Sequence, residues 1–139
     1  MIRFLSAILI PVLFLACGGP SYEDGVQSRL RRCLGVSELP PSLRVGTSTI
    51  DSDDGWACYQ IEFNLPESAF GNLLTAHPYE HVTFDTPRSP NFQEIKLGSL
   101  FQAVGAYERR IDDHGSCKIF HEATPGRYFL LYLYEAPRK

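Results

Sequence analysis

The sequence lacks an apolar run long enough to cross a bilayer, an excess of basic charge and a recognisable hydrolase motif. Its longest apolar-dominated stretch runs for thirteen residues, from Phe4 to Ala16, whereas a transmembrane helix needs about 20. Thirteen basic and sixteen acidic side chains give a net charge of −3, which argues against nucleic acid as a partner. Serine, histidine and aspartate are present, but no G-x-S-x-G motif positions a nucleophile.

The first sixteen residues have the layout of an export signal. One cation, Arg3, precedes the apolar run, whose length fits the 7–15-residue core of a secretory signal. The run contains Pro11 and is followed by Gly18, Gly19 and Pro20, which cannot continue a helix. We therefore predict that residues 1–16 are a signal peptide.

The tetrapeptide Phe14-Leu15-Ala16-Cys17 resembles a bacterial lipobox, in which apolar residues and one small residue precede a cysteine. In lipoproteins of that class the cysteine thiol receives a diacylglycerol and becomes the first mature residue. The resemblance implies lipidation at Cys17, a lipidated tether over residues 17–21 and attachment to the membrane through the lipid. Gly18 rather than aspartate follows the cysteine, which implies an outer-membrane protein facing the periplasm. Cleavage after Gly18 would instead release a soluble periplasmic or secreted protein.

The rest of the chain, 22–139, is predicted to form a single small α+β domain. Apolar residues at helical spacing predict one helix over 22–34, and a shorter helix follows within 64–74. Alternating patterns predict an antiparallel sheet of about five strands. The last strand is apolar on both faces from Tyr128 to Tyr134, so we expect it at the centre of the sheet. Residues 75–96 contain three prolines and are predicted to form a long ordered loop.

Three cysteines lie in this domain. In an oxidising compartment one disulfide is expected, and the sequence alone leaves all three pairings open. We favour Cys33 with Cys58, because that bond would tie the first helix to the first hairpin. Cys117 would then keep its thiol.

Two histidine pairings suggest a metal, but neither has the required geometry. His77 and His81 are spaced i, i+4, as are Cys117 and His121, and both residue types ligate zinc. However, Pro78 follows His77 and breaks a helix there. The other pair lies on a predicted strand, about 13 Å apart at about 3.3 Å per residue. We predict no catalytic residue, no metal and no cofactor.

The predicted loop 75–96 is the favoured recognition surface, because loops on a rigid scaffold often carry function. It combines residue types that are enriched at contact surfaces, namely Tyr79, His81, Phe84, Arg88 and Phe92. The opposing interpretation is that these aromatic side chains fold inward as a lid over the sheet.

Arg29, Arg31 and Arg32 lie on the polar faces of the first predicted helix. Three arginines could form a binding patch, but a solvated helix face is the commoner use of such a group. We therefore predict no binding role for them.

Taken together, these features favour a non-enzymatic envelope lipoprotein that binds another envelope protein or contributes to envelope assembly. Within binding functions, the alternative is an inhibitor or immunity lipoprotein that neutralises a periplasmic hydrolase. The alternative from a different class is a small hydrolase, for which His81 and Asp85 could supply a base and its orienting group.

Overall fold

Two helices and six strands make up the parts of the chain that the computed structural model describes, residues 22–53, 55–88 and 101–135. In chain order they are α1 (Tyr22–Leu34), β1 (Arg44–Asp53), β2 (Trp56–Asn64), α2 (Glu67–Ala76), β3 (Glu80–Arg88), β4 (Ala103–Arg110), β5 (Gly115–His121) and β6 (Arg127–Glu135). The strands form one antiparallel sheet in the order β1-β2-β6-β5-β4-β3. Residues 1–21, including the predicted signal peptide, Cys17 and the tether, lie outside the described residues.

The last strand, β6, lies inside the sheet between β2 and β5. Tyr128, Leu130 and Tyr132 are buried on one face, and Phe129 and Leu131 are buried on the other. Successive side chains of a strand point to opposite faces, so this continuous apolar run fills both. The prediction of a central strand buried on both sides is confirmed.

Each face of the sheet carries its own apolar cluster. The first, the helix-side cluster, is formed by α1, α2 and the sheet face beneath them, with Leu30, Leu34, Phe63, Phe70 and Ile119 among its members. The second, the far-side cluster, lies on the opposite face and takes none of its buried members from α1 or α2; it comprises Cys58, Phe101, Ala103, Ala106, Phe120, Phe129 and Leu131. The alternation of apolar and polar residues in β2 predicts that one face of the β1–β2 hairpin is exposed to water. Cys58 and Gln60 lie on that face, the far one, and both are buried.

The first helix forms where its apolar spacing predicts. Val26, Leu30 and Leu34 repeat every four residues and are buried against the sheet. The helix ends at Gly35, whose φ of 70° is left-handed, a conformation that favours glycine. The N–H of Val36 then donates to the carbonyl of Arg31 at 3.0 Å, which satisfies a carbonyl of the last turn.

The second helix is also confirmed. It follows Pro66 and buries Phe70 and Leu73, and the Phe70 ring stacks on Tyr128 with centroids 3.9 Å apart. Neither α1 nor α2, the helices within the described part of the chain, has the length and apolar character needed to cross a bilayer.

The sheet has six strands rather than about five, because much of the predicted loop is a strand. Residues 75 and 76 end α2, and β3 occupies Glu80–Arg88, so the prediction of a long irregular loop is wrong there. Residues 89–96 lie outside the described residues. β3 is an edge strand with exposed side chains at nearly every position, so no buried face imposes an alternating pattern on its sequence.

Cys33 and Cys58, the predicted disulfide pair, do not lie at disulfide distance in this structure. Cys33 belongs to the helix-side cluster and Cys58 to the far-side cluster, so the sheet separates the two sulfur atoms. In β2, Cys58 alternates with Tyr59 and Ile61, which face α1. A helix packed on that face cannot reach Cys58 without passing through the sheet.

Candidate functional site

A cleft of about 430 Å³ lies between α1 and the sheet; we call it the α1 cleft. α1 supplies two arginines, the strands supply three tyrosines, and the β4–β5 turn closes one end. Its lining residues are Arg29, Arg32, Tyr59, Asp112, His114, Tyr132 and Tyr134. The register explains how they meet, because Tyr59 lies opposite Tyr132 and Tyr134 lies opposite Gly115, the first residue of β5.

The two arginines enter the cleft from one side of α1, since residues three apart share a helix face. Arg29 donates from Nη2 to the Tyr59 hydroxyl at 3.0 Å, and its guanidinium carbon lies 4.5 Å from the centroid of that ring. Arg32 forms an ion pair with Asp112. Among the side chains that the structure describes, Arg29 has no carboxylate within ion-pair distance, so its charge is offset only by the aromatic ring.

The turn that carries Asp112 is built around its carboxylate. The N–H of His114 donates to Oδ1 of Asp112 at 2.8 Å. This bond first, and Arg32 second, lower the pKa of the Asp112 carboxyl. The same side-chain contact raises the pKa of Arg32. Asp112 and Arg32 are therefore both charged across the neutral pH range, and Asp112 holds Arg32 at the mouth of the cleft.

Tyr132 contributes a buried hydroxyl at the floor of the cleft. The residue is 1% exposed, and its ring lies against Tyr59 with centroids 5.7 Å apart. Within residues 22–53, 55–88 and 101–135, this hydroxyl has no hydrogen-bond partner. A buried polar group without a partner costs about 1–3 kcal/mol. Burial raises the pKa of the Tyr132 phenol, and the nearby Arg32 opposes that rise, so the group keeps its proton.

Gly115 makes room for the Tyr132 hydroxyl. A Cβ at this position would lie 3.1 Å from the hydroxyl oxygen, closer than ordinary van der Waals contact. The sheet thus keeps space around a polar atom that its own side chains do not satisfy.

The α1 cleft carries the chemistry of anion recognition. Two guanidinium groups face one carboxylate, and three phenols and an imidazole add hydrogen-bonding capacity. Guanidinium groups form strong charge-assisted bonds with carboxylates and phosphates. The α1 cleft therefore carries the residue types that bind a carboxylate or a phosphate, above a Tyr132 hydroxyl that is closed off from solvent.

A second constellation lies at the β3–β4–β5 end of the helix-covered face. Nε2 of His81 lies 3.0 Å from Nε2 of His121, and His81 stacks on Tyr107 with centroids 4.4 Å apart. Gly105 lies beneath both rings, since a Cβ there would be 2.6 Å from Nε2 of His121. The sheet therefore brings together one histidine from each of the two i, i+4 pairs.

Metal binding at this pair has no third ligand in the described part of the chain. No group of three or more histidine, cysteine, aspartate or glutamate side chains gathers there in a way that could hold an ion. The two Nε2 atoms instead share one hydrogen bond, whose direction depends on which ring carries the proton.

We expect the domain to lose stability as the pH falls below about 6.5. Burial first, and then His81, lower the pKa of His121 in the folded state. The unfolded chain then binds a proton more readily than the folded chain, so acid favours unfolding. Urea titrations at pH 7.5 and pH 5 measure the difference. His121→Gln should reduce this pH dependence, whereas His114→Gln, outside the pair, should leave it as in the wild type. An unchanged dependence in His121→Gln would contradict the assignment.

Two of the predicted recognition residues face the helices. Tyr79 packs against the helix-side cluster, and its hydroxyl donates to the Cys33 carbonyl at 3.1 Å. Burial raises the pKa of Tyr79 to about 12, so the phenol stays protonated. His81 faces the same side, beside His121.

The other predicted recognition residues lie elsewhere. Phe84 packs against the far-side cluster, with its ring centroid 6.3 Å from that of Phe120. The Arg88 guanidinium carbon lies 3.8 Å from the Phe84 ring centroid. Phe92 lies outside the described residues. The structure therefore does not unite the predicted set on one surface.

No family model, curated protein or solved structure matches this chain. What it does must therefore be inferred from its own residues.

The α1 cleft was not predicted from the sequence, because the pattern indicated solvated positions for Arg29 and Arg32 and a core position for Tyr132. The spacing of the two arginines was the signal that could have indicated the cleft. Both flank the apolar stripe of α1, so their long side chains lie at the edge of the contact between the helix and the sheet.

Proposed function

We propose that this protein is a non-enzymatic, lipid-anchored α+β binding module of the bacterial cell envelope, facing the periplasm from the outer membrane. It holds an acidic group of a partner envelope protein in the α1 cleft. The observation that carries the proposal is the buried Tyr132 hydroxyl, which has no partner among the described residues and lies in a cleft with two guanidinium groups. The lipobox-like sequence before Cys17 supports the location.

The charges in the cleft favour binding over bond-making. Arg32 is already paired with Asp112, which fixes its position, while Arg29 is held by Tyr59. A carboxylate that enters would accept from Arg29, and also from the Tyr132 phenol once the side chains over that buried hydroxyl move aside. Hydrogen bonds to charged groups contribute about 1.5–3 kcal/mol each, so two such bonds suffice for a specific contact. Because the arginines are preorganised by their neighbours, little side-chain entropy is lost on binding.

Removing the Tyr132 hydroxyl should weaken binding without harming the fold. Tyr132→Phe keeps the buried ring and deletes a buried oxygen that makes no bond within the described domain, so we expect the free energy of unfolding to rise by about 1–3 kcal/mol rather than fall. Affinity for acetate, followed through the Nε–H NMR signals of Arg29 and Arg32, should fall about tenfold. Inorganic phosphate, titrated in parallel, reports whether the cleft prefers a carboxylate.

Tyr128→Phe is the matched control. Tyr128 is a buried tyrosine of the same strand, but its hydroxyl interacts with the backbone at Gly126 and lies outside the α1 cleft. It should lose stability and keep acetate binding. If Tyr132→Phe binds acetate as the wild type does, the cleft is not the binding site.

A photo-crosslinking amino acid tests the partner in cells. Placed at His114, on the cleft wall, it should form an adduct with an envelope protein. The adduct should be lost when Arg29 is replaced by glutamine. The same amino acid at Thr124, exposed in the β5–β6 turn, is the control. Equal adducts at both positions would contradict a partner held at the α1 cleft.

A further inference from the structure

We propose that Cys33 and Cys117 form a redox pair that closes to a disulfide, joining α1 to β5. This covalent site goes beyond the proposed binding function and does not depend on it.

Cys33 and Cys117 are buried in the same region of the domain, between α1 and the sheet. Cys33 is 0% exposed and Cys117 is 2% exposed, and both belong to the helix-side cluster. The Cys33 carbonyl accepts from Nη1 of Arg109 at 3.5 Å, and Arg109 lies directly opposite Cys117 in the β4–β5 register. The last turn of α1 therefore lies over the strand pair at the level of Cys117.

The two thiols are adjacent within that region. Burial raises the pKa of the Cys33 thiol, and a hydrogen bond with the Cys117 side chain adds to the rise. The Cys33 thiol is thus held neutral while α1 is docked, and a neutral thiol is a poor nucleophile. Exchange requires α1 to be undocked, as it is during folding.

The reaction is a pair of thiol–disulfide exchanges with an external disulfide, such as glutathione disulfide. One cysteine, deprotonated, attacks the external disulfide, which forms a mixed disulfide and releases one thiolate. The second cysteine, also deprotonated, then attacks the mixed disulfide, forms the Cys33–Cys117 bond and releases the second thiolate. The protein loses two electrons and two protons, and the external disulfide is reduced to two thiols.

The sheet excludes the competing pairings. Cys58 belongs to the far-side cluster, and a disulfide requires Cα atoms within about 7 Å on the same side. Neither Cys33 nor Cys117 can meet that condition with Cys58 while the sheet is intact. Of the three pairings among Cys33, Cys58 and Cys117, only Cys33–Cys117 is therefore compatible with α1 docked on the intact sheet, so exchange during folding should end at that pairing.

Mass mapping after oxidative refolding tests the pairing. The full chain carrying Cys17→Ser, which leaves Cys33, Cys58 and Cys117, is refolded in a glutathione and glutathione disulfide buffer, denatured, alkylated and digested without reduction. We expect one linked peptide pair that contains Cys33 and Cys117, with the alkyl label on Cys58. A major link that includes Cys58, or label on all three residues after equilibration in oxidising buffer, would overturn the proposal.

Melting temperatures give a second readout. A disulfide that closes so long a loop stabilises strongly in the chain-entropy model, so reduction with dithiothreitol should lower the melting temperature by about 10 °C or more. Cys58→Ala should respond to the reductant as the wild type does. Cys117→Ala should not respond. A Cys117→Ala variant that still loses about 10 °C on reduction would place the bond elsewhere.

Discussion

Replacing Cys17 by serine should transfer the mature protein almost completely from the membrane fraction to the soluble fraction. Serine has no thiol to receive the diacylglycerol, so the anchor proposed from the lipobox-like sequence is lost. With a net charge of −3, the chain has no electrostatic attraction to anionic lipid that could replace the anchor. Two or more fatty chains give stable attachment, and without them we expect none.

Fractionation with a lipid label measures this result. Cells expressing each variant are fed a radioactive fatty acid, and membranes are washed in high salt before counting and blotting. Cys58→Ala is the control, because it changes a cysteine within the folded domain and should keep both label and membrane association. A Cys17→Ser protein that remains in the salt-washed membranes would contradict the lipoprotein proposal.

Truncating Phe129 should destabilise the domain by about 3–5 kcal/mol, as substitutions of buried phenylalanine by alanine do. Phe129 is 1% exposed and contacts the rings of Phe101 and Phe120, with centroids 6.0 and 6.3 Å away. Small domains have a total stability of about 5–15 kcal/mol. Loss of this one ring should therefore remove a fifth or more of that stability, although no buried side chain of α1 or α2 belongs to the cluster around it.

Leu133→Ala is the matched control for this substitution. Leu133 lies on the same strand and the same face, four residues further on, but is 43% exposed. It should change the free energy of unfolding by less than about 1 kcal/mol. Urea unfolding of both variants provides the comparison. Equal losses, or a loss below about 1 kcal/mol for Phe129→Ala, would mean that the far-side cluster is not a core.

Local patterns in the sequence were enough to predict α1, α2 and the place of β6. Each is determined by burial: the apolar stripe of α1 repeats with the helical period, and β6 is apolar on both faces because both are covered. Gly35 also marks the end of α1, since its φ of 70° is costly for other residues.

β3 could not be predicted in the same way. At the edge of the sheet its side chains are exposed on both faces, so periodicity is absent. Pro87 lies near its end and was taken for a loop residue, but proline is tolerated on edge strands. This strand is defined only by its backbone pairing with β4, and backbone pairing does not require a particular pattern of side chains.

The cysteine pairing and the α1 cleft both depend on long-range register. The alternation of Cys58 with Tyr59 and Ile61 was visible in the sequence and placed Cys58 away from the apolar face. Which face α1 covers was not visible. Likewise, Tyr132 meets Arg32 only because β6 lies between β2 and β5, an order that no local pattern encodes.

With the lipid anchor proposed at Cys17, the position of α1 would limit the distance from the membrane at which the protein can meet a partner. The helix begins at Tyr22, and the tether 17–21 can extend by at most about 17 Å. Arg29 and Arg32 lie within about 15 Å of the start of the helix, at 1.5 Å per residue. With the lipid anchor proposed at Cys17, the cleft would stay within about 30 Å of the lipid surface, and the proposed partner would be membrane-proximal. Confinement to this thin layer raises the effective concentration of such a partner. A bond at Cys33 would preserve that limit, because it prevents α1 from unravelling into a longer tether.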